Sequence, residues 1–258
     1  MICFNKDNIM KSSTKIFDAE IISKALKIDD TLIISDLHFG YETSLNNQGL
    51  MIPQFQYEKL IDSLSNIQEK ANATNIILNG DIKHNFQDIS KQEWKEVLDF
   101  IDFLSDIFVD IRVTKGNHDN FTQYILNKRD IIMEDEIILN NFLITHGHRI
   151  PDSIPNNINT IVIGHEHPCI GIRNGERVEK VKSFLVGMWN EYNLIVTPSF
   201  TPISSGSDVL HEKTISPFIK DVSDFDVIAV EDEEVYSFGL VKDILSVEEE
   251  YYDYNGLM

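Results

Sequence analysis

Cysteine is scarce in this sequence: Cys3 and Cys169 are the two among 258 residues. With no C-x-x-C spacing, neither a disulfide framework nor a thiolate metal site is available, and a reducing compartment is expected. Each cysteine reads as a small buried apolar residue. Basic side chains are also in short supply, with Lys and Arg totalling 22 against 42 Asp and Glu, for a formal charge of −20. Such a field repels phosphate and offers few cations to displace counterions, so generic docking on nucleic acid is disfavoured. Long apolar runs are missing: no segment approaches the roughly 18 residues of a membrane span, and Met1 to Asp7 carry no basic stretch leading into an apolar one. A cytoplasmic protein without membrane contact is expected. Glycine-rich nucleotide loops are absent, and ATP chemistry is not indicated. No repeat and no linker rich in Pro, Gly or Ser interrupts the chain, so one domain over 1–258 is expected, ending in an acidic tail over 242–258.

What is present is the composition of a packed protein, 42% hydrophobic and 25% charged. Short β-branched runs recur at Thr31–Ser35, Asn75–Asn79, Ile111–Lys115, Phe142–Thr145 and Thr160–Ile163, and each reads as a buried strand. Between the first two, Tyr57, Leu60, Ile61, Leu64, Ile67 and Ala71 recur at helical spacing after Pro53. A second helix opens at Ser90-Lys91-Gln92-Glu93, a capping-box pattern, and carries Trp94, Val97, Leu98, Ile101, Leu104 and Ile107 toward the core. Phe121, Tyr124 and Ile125 hint at a shorter helix. Strand, helix, strand, helix, strand argues for an α/β layer. Beyond about residue 168, Leu185-Val186, Leu194–Val196, Val227–Val230 and Val235–Val241 read as strands of a second sheet, and Glu231–Glu234 as a polar turn.

Each early strand ends in polar residues of one kind: Asp36-Leu37-His38, Gly80-Asp81, Gly116-Asn117-His118-Asp119, His146-Gly147-His148 and Gly164-His165-Glu166-His167. Six of the eight histidines fall in these clusters, and His84 follows the second closely. Open α/β sheets build their sites beyond the carboxyl ends of strands, so groups far apart in sequence converge there. Asp36 and His38, like His165 and His167, are two residues apart and would point the same way from extended backbone. Imidazoles, carboxylates and an amide without thiolates suit borderline divalent ions such as Mn, Fe, Zn or Ni. Seven ligands fit two ions better than one, and a carboxylate can bridge them.

These five blocks, in this order, resemble the signature of the calcineurin-like binuclear metallophosphoesterases over roughly residues 31–168. Asp36–Glu42, the run Gly80–Phe86, Gly164–Pro168 and Pro198–Pro202 through Gly206 are similar to the SbcD-related phosphoesterase subgroup. The resemblance implies a four-layer αββα sandwich with two mixed β-sheets, and two divalent metals, manganese foremost. It implies Asp36, His38 and His167 on one metal, Asn117, His146 and His165 on the other, Asp81 bridging, and His118 as a catalytic acid that Asp119 orients or charges. His84, His148 and Arg149 are candidates to touch the substrate, and Lys83 and Lys115 lie beside them.

The implied activity is hydrolysis of a phosphomonoester or phosphodiester by a water whose pKa two metals lower. A nuclease acting on DNA or RNA is the alternative within the same chemistry, and a metal-free interaction module the alternative outside it. The acidic balance sets this chain apart from a nuclease that grips DNA through its surface charge.

Overall fold

The computed structural model describes residues 15–86, 89–174, 177–231 and 234–255; Cys3 and part of the Glu231–Glu234 run lie outside them. The described chain enters as an antiparallel meander, β1 (Lys15–Ile16), β2 (Ala19–Ile22) and β3 (Ala25–Ile28), leading into β4 (Thr31–Ser35). The sequence pattern hides this meander because its turns use no glycine. Phe17, Ser23 and Asp29 take the left-handed conformation instead, with φ of 52°, 53° and 49°, so the usual Asn-Gly or Gly-rich hairpin signal is missing.

From β4 the chain passes through α1 (Tyr41–Asn47) and α2 (Gln56–Ala71) to β5 (Asn75–Asn79), then through α3 (Lys91–Ile107) to β6 (Asp110–Thr114), and through α4 (Thr122–Leu126) to β7 (Met133–Glu134). Strands β4 to β7 pair in parallel, completing a seven-stranded mixed sheet. The remaining strands are β8 (Glu136–Leu139), β9 (Phe142–Thr145), β10 (Thr160–Ile163), β11 (Pro168–Asn174), β12 (Arg177–Trp189), β13 (Tyr192–Val196), β14 (Ser207–Asp208), β15 (Asp226–Glu231) and β16 (Glu234–Leu240), followed by α5 (Val241–Asn255). They form a second mixed sheet in the order β14-β11-β12-β13-β10-β9-β8, with the β15–β16 hairpin added along β12.

Period-two alternation explains the layering. In β4 and β5, Leu32, Ile34, Ile76 and Leu78 face the helices and pack with Leu60, Leu64 and Ile67 of α2 and Val97, Phe100 and Leu104 of α3. Their neighbours Ile33 and Ile77 face the other way, onto Phe142, Ile144, Val162 and Ile195 of the second sheet. The outer face of that sheet, through Leu143, Ile161, Ile163 and Leu194, is covered by Phe218, Ile219, Val241 and Ile244. Helices, sheet, sheet and a last helical layer are the expected αββα sandwich.

Helix α3 starts as its sequence dictates: Ser90 Oγ accepts from Glu93 N at 3.0 Å and Glu93 accepts from Ser90 N at 2.7 Å. Its buried face differs from the expected one. Phe100 is in the core, while Ile107, the last helical residue, is 37% exposed. Helix α2 has no side-chain cap of its own; Glu42 of α1 reaches over, accepting from Phe55 N and Gln56 N. The acidic segment from residue 242 to 255 lies in α5, whose Val241 and Ile244 pack on the second sheet.

Candidate metal centre

The five polar clusters meet beyond the carboxyl ends of β4, β5 and β6 in one sheet and β9 and β10 in the other. The two sheets are stitched there by Ser35 Oγ and Thr197 Oγ1 at 2.7 Å and by a bridge between Ser35 and Ser199. The loops are laid against one another by backbone bonds, Asp36 N to Gly80 O and His38 N to Asp81 O. The expectation that extended backbone aims Asp36 with His38, and His165 with His167, is corrected. All four are left-handed, with φ of 60°, 50°, 65° and 49°, as is Asp81 at 47°. Each such non-glycine residue stores of order 1–3 kcal/mol, and the kinks, not strand alternation, turn these side chains into one hollow. Gly80 and Gly116 are required by space. A Cβ at Gly80 would lie 2.4 Å from His146 Nδ1, and one at Gly116 would lie 2.1 Å from Asp81 Oδ1.

Two groups result. Asp36, His38 and His167 present ligand atoms within 4.8 Å of one another, and so do Asp81, His146 and His165. His38 Nε2 faces His167 Nε2 at 3.2 Å, and His167 Nε2 is 3.2 Å from Asp36 Oδ1. Asn117 Oδ1 joins the second group, 3.1 Å from His146 Nε2. Asp81 Oδ2 stands between the two, 3.8 Å from His38 Nε2 and 3.4 Å from His146 Nε2. The donor chemistry fits two cations: imidazole nitrogens that cannot all satisfy one another converge with buried carboxylates.

The charges agree. Burial alone would raise the carboxyls of Asp36 and Asp81, but His167 and His146 outweigh it and hold both below the usual carboxylate range. Burial opposes a charge on His146, yet Asp81 and Asp36 push its pKa up to about 9. Burial, with neighbouring imidazoles, lowers His38 to about 3 and His165 to about 4. Buried carboxylates thus demand positive charge while His38 and His165 stay neutral, the form that ligates. His146 Nδ1 sits 3.2 Å from Asn79 O, so it carries the hydrogen and Nε2 is left for a metal.

His118 enters the same hollow. Its backbone N donates to Asp81 Oδ1 at 2.9 Å, its Nδ1 donates to His84 O, and its Nε2 lies 3.6 Å from Asp81 Oδ2. Asp119 was expected to act on that ring; its contacts lie elsewhere. It is fully buried and accepts from Ile82 N, Gly116 N and Thr122 Oγ1, so it reaches His118 only through the Gly116–Asp119 turn. Burial first, then Asp81, raises its carboxyl. His84 stacks on Tyr41, ring centroids 4.0 Å apart, and lies 5.7 Å from His118. His148 lies 5.3 Å from His146 and 6.1 Å from His165. Burial above all lowers both His84 and His148 to about 4, and the Nδ1 of each has no partner. Arg149 turns away to Asp135 at 2.7 Å on the surface, and Lys83 is buried with its ammonium on Asn85 O.

Several residues that hold the centre carry no motif. Gln56, buried at the start of α2, donates from Nε2 to Leu37 O, His38 O and Thr201 Oγ1 at 2.8–2.9 Å. Glu166, between two candidate ligands, accepts from Ile215 N and Ser216 N, and Ser216 Oγ donates to Gly147 O. Only Glu166 was close to a visible signal, as the unassigned residue of Gly164–His167.

Residues 30–230 match the sequence profile described as Calcineurin-like phosphoesterase. The chain belongs to that family and is a hydrolase acting on phosphoester bonds. The family is typically dependent on a binuclear metal centre. Among solved structures, the nuclease MPE of Pseudomonas putida is similar at a TM-score of 0.60 and 16% identity, covering 85% of this chain and 94% of that one, a likeness of fold. Yfce, a phosphoesterase from E. coli, aligns at a TM-score of 0.41 and 14% identity, over 80% of this chain and 95% of that one. No curated protein sequence matches the chain. Among the described residues, no helix is long and apolar enough to cross a membrane.

Proposed function

We propose that the protein hydrolyses a phosphomonoester or phosphodiester with two divalent cations, manganese foremost, with Fe, Zn or Ni compatible with the same donors. One observation carries this reading: Asp36, His38 and His167 form one three-residue group and Asp81, His146 and His165 another, each with its ligand atoms within 4.8 Å, and Asp81 of the second comes to 3.8 Å from His38 of the first. Asp36, His38 and His167 would hold one ion, Asn117, His146 and His165 the other, and Asp81 both. Bound there, such ions lower the pKa of a water toward about 7 and neutralise phosphoryl oxygens.

The rest falls to the chain. His118, its Nδ1–H fixed on His84 O, offers Nε2 to protonate the leaving oxygen. Asp119 positions that histidine through the turn it braces. His84 and His148 border the two ligand groups and are suited to contact the substrate. Arg149 would have to leave Asp135 to do so.

A second reading, cleavage of single-stranded nucleic acid as in an SbcD-related enzyme, is favoured by exposed aromatic surface at the mouth. Phe86, 49% exposed, lies 3.5 Å from the His118 ring centroid to centroid, and Tyr41 stacks on His84. Such faces can receive stacked bases, a contact that tolerates any base. The test is metal-reconstituted activity on paired monoester and diester model substrates and on single-stranded DNA, with Asn117→Ala as control. Metal-dependent turnover that the variant loses supports hydrolysis. Protein that binds no metal and turns over none of the three defeats it.

A further inference from the structure

The chain beyond β13 leaves one sheet and joins the other. Thr197 N donates to Ile163 O at 2.8 Å in the second sheet, whereas Phe200 N donates to Ser35 O at 2.7 Å and Thr201 N to Asp36 O at 3.2 Å. In the first sheet β3 pairs with β4 only as far as Ile33, while β5 stays on the opposite edge through Ser35. Ser199–Thr201 therefore takes over the edge that β3 gives up, and Ser199 pairs there with Ser35 in parallel. The backbone of Asp36 is gripped from both sides, its N–H on Gly80 O at 3.2 Å and its carbonyl on Thr201 N. That grip bears on the site because Asp36 holds a φ of 60°, a conformation that persists only where its surroundings impose it.

What holds this segment in turn is an amine from β12. Lys182 Nζ donates to Ser199 O at 2.6 Å and to Thr201 O, and stands 2.8 Å from Ser199 Oγ. Lys24, in the turn between β2 and β3, adds a longer contact to Phe200 O at 3.5 Å, so three consecutive carbonyls meet lysine amines. Burial followed by Lys24 holds Lys182 well below its ordinary value, against the pull of Asp36. The clamp survives either charge state. A charged amine donates to all three oxygens, and a neutral one keeps two N–H groups for the carbonyls and takes the Ser199 hydroxyl on its lone pair. Gln56 carries the connection onward, from Thr201 Oγ1 to Leu37 O and His38 O. The contacts of Lys182, the segment and Gln56 thus end on Asp36, Leu37 and His38, and none of them ends on Asn117, His146 or His165.

We propose that Lys182 is a positioning residue for the ion of Asp36, His38 and His167. Through Ser199 and Thr201 it fixes the backbone of Asp36, and through Thr201 and Gln56 that of His38. The inference rests on the two-metal reading above and adds to it a residue that touches no ligand yet acts on one of the two ion positions.

Lys182→Met keeps much of the side chain's length and removes its donors. The full-length protein, stripped with chelator, is titrated with Mn²⁺ and followed by electron paramagnetic resonance. Wild type should take up two ions and give the spectrum of a coupled pair. In Lys182→Met one ion should bind with near wild-type affinity and the other on the order of tenfold more weakly, so that intermediate manganese gives the spectrum of an isolated ion. Ile244→Ala, in α5 on the outer face of the second sheet, supplies a loss of melting temperature remote from the centre and should keep the coupled pair. Ser199→Ala removes one of the three oxygens, should weaken the same ion about threefold, and carries the test if Lys182→Met does not fold. Both ions held at wild-type affinity, both weakened equally, or the same change in Ile244→Ala overturns the proposal and leaves the two-metal reading standing. Wild-type protein that fails to take up two ions removes that reading and this inference with it.

Discussion

One oxygen of Asp81, Oδ2, lies 3.4 Å from Nε2 of His146 and 3.8 Å from Nε2 of His38, so a single carboxylate is shared by both groups of candidate ligands. Asp81→Asn keeps the size and the acceptor for His118 N but removes the charge. It should lower metal affinity at both positions, on the order of 10–100-fold or more, and elemental analysis of the dialysed variant should find both ions depleted. Two ions retained at wild-type affinity would refute the bridging role.

His118→Asn tests the proton donor. The ring is held by His84 O and by its own backbone bond to Asp81, and its ligand atom groups with those of His38 and His84 and not with the two groups that hold Asp36 and Asp81. Metal content should stay near wild type, while esters with poor leaving groups should slow by roughly 10²–10⁴-fold and nitrophenyl esters much less. Equal slowing across leaving groups would remove the acid role.

The contrast between these residues and Gln56 shows what a sequence discloses. Strands β4, β5, β9 and β10 were legible because short β-branched runs stop abruptly at Asp, Gly and His, and the ligand clusters were legible because histidines do not otherwise gather at strand ends. Gln56 and Glu42 were not: their work is done on backbone groups of segments distant in sequence, and a lone glutamine or glutamate in a helix is ordinary. The meander β1 to β3 was hidden by left-handed Phe17, Ser23 and Asp29, and α5 by the acidic residues that outnumber its two anchoring side chains. Asp119 was legible as a neighbour of His118, but adjacency in sequence does not tell which way a buried carboxylate turns.

Gln56→Leu should therefore damage the centre without touching a ligand. Three acceptors, two of them carbonyls of Leu37 and His38, lose one amide, at about 1–3 kcal/mol for each group left unpaired in the interior. A lower melting temperature together with weaker metal binding is expected, with Gln56→Glu closer to wild type in packing but not in donor capacity. Unchanged metal affinity in a destabilised Gln56→Leu would confine the residue to stability.

Ser90→Ala separates fold from site in the opposite direction. Ser90 Oγ caps the Glu93 N–H at the start of α3, and its loss should cost about 1 kcal/mol, read as a shifted denaturant midpoint at constant slope. Glu93 would still accept from Asn85 N at 3.1 Å and keep the loop after Asp81 in place, so metal content and turnover should be unchanged. A loss of activity out of proportion to the stability change would mean that the helix start, and not Glu93 alone, positions that loop.

Removing metal offers a test that needs no substrate. Ligands that bind the folded chain and not the unfolded one stabilise it by mass action, about 2.7 kcal/mol at a free concentration 100 times the dissociation constant. Chelation should thus lower the melting temperature of the wild type, and adding back divalent cation should restore it. In Asp81→Asn the same treatment should move the transition far less, since the carboxylate charge shared by His38 and His146 is gone. A chelator-induced shift of equal size in both proteins would place the stabilising ion somewhere other than between His38 and His146.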